Sequence, residues 1–75
     1  MSEQTRAVLK VFGINVTKFE EAVQSLEASP TADNMRNYVD AQSQLLESFV
    51  QLMNVVSELM SRGASASRRA STAGG

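Results

Sequence analysis

Between Thr5 and Leu26 the large apolar residues Leu9, Phe12, Val16, Phe19, Val23 and Leu26 recur at steps of three and four. That spacing puts them on one stripe of an α-helix, and Glu20, Glu21 and Glu27 fall off the stripe onto a solvated face. The pattern predicts a first helix over about residues 4–28. A second run is longer and has no slip: Met35, Tyr38, Gln42, Leu45, Phe49, Leu52, Val56 and Leu59. Only Gln42 in it is neither apolar nor aromatic. The next column round the helix, Val39, Leu46, Met53 and Met60, is apolar as well, and Val50 and Val55 add to it. This stripe is wider than the seam of a plain two-helix pair. It predicts a second helix over about residues 31–62, with Gly63 as the C-terminal stop.

The chain breaks once between the two runs, at Ser29-Pro30-Thr31-Ala32-Asp33. Proline disfavours the helical region for the residue before it, so the first helix should end at Ser29. Pro30 suits the first position of the second helix with Ser29 as its N-cap, and Thr31 is a competing cap. Asp33 then falls in the first turn, where a carboxylate favours the helix dipole. A link of residues 29–33 joins antiparallel neighbours. Gly13 is the weak point of the first helix, because a mid-helix glycine costs about 1 kcal/mol relative to alanine. With the β-branched Val11, Ile14, Val16 and Thr17 around it, the sequence leaves open whether the helix runs regularly through Gly13 or is kinked or frayed there.

The expected fold is therefore all-α: a two-helix antiparallel hairpin, coiled-coil-like, over residues 1–62. A hairpin buries one stripe of each helix against the other. The first helix offers one narrow stripe, and the second offers more apolar columns than that stripe can cover. An exposed remainder of a few hundred Å² usually marks an interface. The residues expected to meet a partner are Met35, Val39, Gln42, Leu46, Phe49, Val50, Met53, Val56 and Met60. The partner is expected to be protein, either a second copy in a homo-oligomer or the helices of another subunit. Gln42, a polar residue in an apolar column, can satisfy a partner amide and fix register, or lie at an edge and reach water.

Composition narrows the chemistry. The chain has no cysteine and no histidine, which removes disulfides, thiolate metal sites and the commonest general base and metal ligand together. Glu20 and Glu21 are adjacent, but sequence neighbours on a helix point about 100° apart and share neither a proton nor a metal. Asp40 and Glu47 are two turns apart, too far for a joint site. The expectation is no enzyme, no catalytic residue, no metal and no cofactor.

Charge is divided along the chain. Residues 1–60 carry four basic and eight acidic groups, whereas Arg62, Arg68 and Arg69 make the end basic. Residues 63–75 hold serine, threonine, alanine, glycine and arginine with no large apolar side chain, the composition of a disordered polar tail. Arg68-Arg69-Ala70-Ser71 fits a basophilic kinase site, which makes Ser71 a candidate for modification. Three arginines without interleaved aromatics give weak, salt-sensitive phosphate contact at most, so no specific nucleic-acid partner is expected. The opening Met1-Ser2-Glu3 has no apolar stretch behind it and does not read as a secretory signal. The richest apolar window, Phe49 to Met60, is broken by Gln51, Asn54, Ser57 and Glu58, so no membrane insertion is expected. The expected location is cytoplasmic, with export by a signal-less route open to an apparatus subunit.

A helix closing on Leu26-Glu27-Ala28-Ser29-Pro30, a short polar turn and a second helix starting near Met35 resembles the subunits of type III secretion needles over residues 19–60. It is similar also to the small helical chaperones that hold needle subunits monomeric in the cytosol. The chain differs from needle subunits in having Ala32-Asp33-Asn34 in the turn and in continuing into an arginine-serine tail. The resemblance implies a secretion-apparatus component or a needle-subunit chaperone that works by helix-to-helix contact. The alternative is a small dimeric regulatory adapter whose basic tail is the modifiable or partner-binding element.

Overall fold

The computed structural model describes the backbone of residues 1–74 and the side chains of residues 1–63. It is a helical hairpin in which α1 (Glu3–Ala28) packs against α2 (Ala32–Gly74). Among the described residues there is no strand.

Local chemistry sets most of the helix ends. Ser2 is the N-cap of α1: its Oγ accepts from the Thr5 backbone N–H at 3.1 Å, satisfying one of the free donors of the first turn. Glu3 in that turn complements the positive end of the dipole. At the other end Ser29 takes an extended conformation (φ −149°, ψ 99°), as the residue before a proline does. The N-cap of α2 is Thr31, not Ser29. The Thr31 Oγ1 accepts from the Asn34 N–H at 3.2 Å, and its carbonyl accepts from the Met35 N–H. Asn34 then turns its side-chain amide back onto α1, donating to the carbonyls of Ser25 at 3.2 Å and Ser29 at 2.7 Å. One asparagine thus adds a second donor to carbonyls that already accept from the Ser29 and Thr31 N–H groups, and ties the end of α1 to the first turn of α2.

The structure settles the path through Gly13 and corrects the expected stop at Gly63. α1 is continuous through Gly13, whose carbonyl also accepts from Thr17 Oγ1 at 3.2 Å. The cost of one glycine is small beside the packing that holds a helix of 26 residues. α2 likewise runs past the expected end at Arg62 and through Gly63, which does not adopt the positive φ of a helix-ending glycine. Alanine, arginine and serine beyond it are compatible with a helical backbone. The disorder expected over residues 63–75 falls, from residue 64 on, outside the described side chains, and so does the candidate Ser71.

Gly13 faces open space, with nothing within 4 Å of where a Cβ would stand. Gly13→Ala is therefore expected to raise stability by about 1 kcal/mol. Urea unfolding at fixed chain concentration checks this, and a loss of stability would show that Gly13 serves a close contact.

Candidate partner-binding face

The seam between the helices is built from residues at strict heptad spacing. On α1 these are Thr5, Val8, Phe12, Asn15, Phe19, Ala22 and Leu26, each half-buried or buried. On α2 they are Asn34, Tyr38, Ala41, Leu45, Ser48, Leu52 and Val55. Each helix therefore presents one column of bulky residues and one column that is mostly small or polar. The bulky columns, Phe12-Phe19-Leu26 and Tyr38-Leu45-Leu52, are the ones that the apolar spacing predicts.

The second column of each helix is a correction. The expected stripe continued through Leu9, Val16 and Val23 on α1 and through Met35, Gln42, Phe49 and Val56 on α2. The seam uses instead the column one residue earlier: Val8, Asn15 and Ala22, facing Asn34, Ala41, Ser48 and Val55. The most buried residues show why. They are Ala22 (1% exposed), Ser48 (3%) and Ala41 (8%), and among the described residues no large side chain is fully buried. Small side chains allow the two backbones to approach closely, and the larger ones border that contact.

The polar members of the seam are satisfied without water. Ser48 Oγ is placed to donate to the carbonyls of Gln44 (3.1 Å) and Leu45 (2.9 Å) in its own helix. Asn15 crosses the seam and donates from Nδ2 to the Gln44 carbonyl at 3.4 Å. Among the described residues no buried side-chain polar atom lacks a partner, so the polar column does not carry the penalty of an unpaired group.

This rolled packing gives the hairpin two unlike sides. Beside the small column lies a polar strip with a shallow groove lined by Lys18, Glu21, Ser25, Asn37, Asp40 and Gln44. Beside the bulky columns the rings of Phe12 and Phe49 stand 6.1 Å apart and those of Phe19 and Tyr38 stand 5.4 Å apart, both pairs tilted. Outside these rings the displaced columns remain uncovered. Leu9, Val16 and Val23 are 37–39% exposed, and Phe49, Met53 and Leu46 are 47–57% exposed. All nine residues expected to meet a partner, Met35, Val39, Gln42, Leu46, Phe49, Val50, Met53, Val56 and Met60, are exposed. The α1 contribution of Leu9, Val16 and Val23 was hidden from sequence reasoning. Its signal was the all-small pair Ala22 and Ala41, which can sit only where backbones approach.

Among the described residues no cluster of acidic side chains is placed to hold a metal ion. The one ion pair among them joins Glu58 and Arg62 at 2.7 Å along the solvent side of α2. No described helix is long and apolar enough to cross a membrane. The chain matches no family model, no curated protein and no solved structure.

If small side chains set the approach of the helices, enlarging one wedges them apart. Ala22→Leu is expected to lower stability by about 1–3 kcal/mol despite adding apolar surface. Denaturant unfolding reads this, and a stabilised Ala22→Leu variant would place Ala22 outside the seam.

Proposed function

We propose that this chain is a non-enzymatic protein-interaction module, whose uncovered apolar side is the surface that acts. One observation carries the reading: apart from Val11 and Ile14, the exposed bulky residues of the paired helices gather on one side of a hairpin whose own interior contains only small fully buried side chains. A domain of this size is marginally stable when it buries so little. Covering Leu46, Phe49, Met53 and their neighbours adds stabilisation at about 25 cal/mol per Å² of apolar surface, which an isolated hairpin forgoes. Helix-in-groove or helix-on-helix docking is the mode that such a face supports.

Within that class, the resemblance of residues 19–60 supports a type III needle subunit or its cytosolic chaperone, and the distribution of apolar surface favours the chaperone. A filament subunit needs two different complementary patches, one to give and one to receive, because its contacts are head-to-tail. Here the continuous apolar surface lies on one side, and the other side is polar apart from the isolated Val11 and Ile14, which suits a closed contact. The same one-sidedness supports a second reading, a small dimeric adapter in which the arginine-serine tail carries the regulation.

The test is sedimentation velocity on the chain and on the Leu46→Asp/Met53→Asp variant, with circular dichroism to confirm that helix content is retained. Both positions are more than half exposed, so the hairpin should tolerate the change. We expect association in the original chain, its loss in the variant, and its persistence when residues 63–75 are removed. A compact, stable monomer at every concentration would contradict the proposal.

A further inference from the structure

The apolar side carries a pattern that selects its occupant. Beside Leu9, Val16 and Val23, the outer column of α1 reads Arg6, Gly13, Glu20 and Glu27 at heptad spacing, and its first three members are centred on Gly13. Opposite charges therefore stand seven residues to either side of a glycine whose Cβ position faces open space. Such a column is complementary to itself when two copies run antiparallel: a two-fold axis through Gly13 sets each Arg6 against the Glu20 of the other copy. In a parallel pairing of the same column, like charges would face each other.

The other helix shows the same symmetry at the same level. The Asn15–Gln44 bond fixes how the helices pass one another. Two residues back from Asn15 and two on from Gln44, Gly13 is level with Leu46. Leu46 is the centre of the column Ala32, Val39, Leu46, Met53, Met60, again with heptad spacing to both sides. An axis through Gly13 and Leu46 lays Leu46 on Leu46 and Val39 on Met53 of the other copy. Both helices thus place their self-complementary centre on one line across the hairpin.

From this we infer that the occupant of the apolar side is a second copy of the chain, packed as an antiparallel two-fold four-helix bundle with the turns at opposite ends. The inference rests on the reading of that side as an interface and names its partner. The contact is isologous and closes at two chains. In the chaperone setting this dimer is the resting form, and a client helix must displace the second copy to reach the face.

Disulfide mapping in the full chain tests the arrangement, since there is no native cysteine to interfere. Leu46 is 57% exposed, so Leu46→Cys leaves the hairpin intact. We expect sedimentation equilibrium to give a dimer and mild oxidation to link Leu46→Cys to itself across the axis. Val39→Cys and Met53→Cys should link to each other when mixed. Glu20→Arg should weaken the dimer about tenfold, and the exchange Arg6→Glu/Glu20→Arg should restore it. A dimer in which Leu46→Cys links to Val16→Cys rather than to itself would overturn the orientation, with the turns at the same end. Open-ended growth would overturn the closed dimer. A monomer that binds an apolar dye on this side would refute the second copy while leaving the interface reading intact. A monomer that binds no such dye would refute both.

Discussion

The approach of the two helices through small side chains is the constraint on which the rest of this structure depends. Ala22, Ala41 and Ser48 occupy the centre of the seam, and their size lets the backbones approach while excluding large residues from the space between. Each helix is consequently rolled by one column from the orientation that maximises burial of bulky groups. The stabilisation given up is that of Leu9, Val16, Val23, Met35, Phe49 and Val56, which a large-residue seam would have enclosed. What is gained is one continuous apolar side. Phe12 meets Phe49 and Phe19 meets Tyr38 along it, so the boundary between interior and surface is itself aromatic and half-open.

The turn serves the same end. Asn34 bonds the Ser25 and Ser29 carbonyls from the first turn of α2, which holds the two helix ends in one relative rotation. Asn15 adds a polar bond to the Gln44 carbonyl near the middle of the hairpin. Directional bonds at both places resist the rotation that would bring the bulky columns inward. A seam of interchangeable aliphatic side chains would not specify its own register as well, which is the established use of a single polar group in a helical pair.

Much of the architecture is legible in the sequence and one feature is not. The step of three and four through Phe12, Phe19 and Leu26, and through Tyr38, Leu45 and Leu52, identifies both helices and half of each seam column. Pro30 marks the turn, and Thr31 is visible as a competing cap. The other half of each seam was misassigned because hydrophobicity ranks Val16 above Ala22 and Phe49 above Ser48, whereas a close helix contact ranks them by volume. The excess of apolar columns on α2 pointed to an uncovered face, and its nine expected members are exposed. The roll of α1 that adds Leu9, Val16 and Val23 needs tertiary geometry, since it depends on which small residues of the other helix they would have opposed. The extension of α2 through Gly63 reflects the same limit: a glycine stops a helix only when the backbone takes the left-handed turn there.

The account's central claim is that the hairpin is completed by covering its apolar side, so that association adds to the stability of the fold. Equilibrium urea unfolding of the full chain at several chain concentrations tests this most directly. For a two-chain native state, each tenfold rise in concentration stabilises the assembly by about 1.4 kcal/mol, so the midpoint should climb steadily with concentration. A midpoint independent of concentration, with a cooperative transition, would show that the small-residue seam alone holds the fold and would contradict the account.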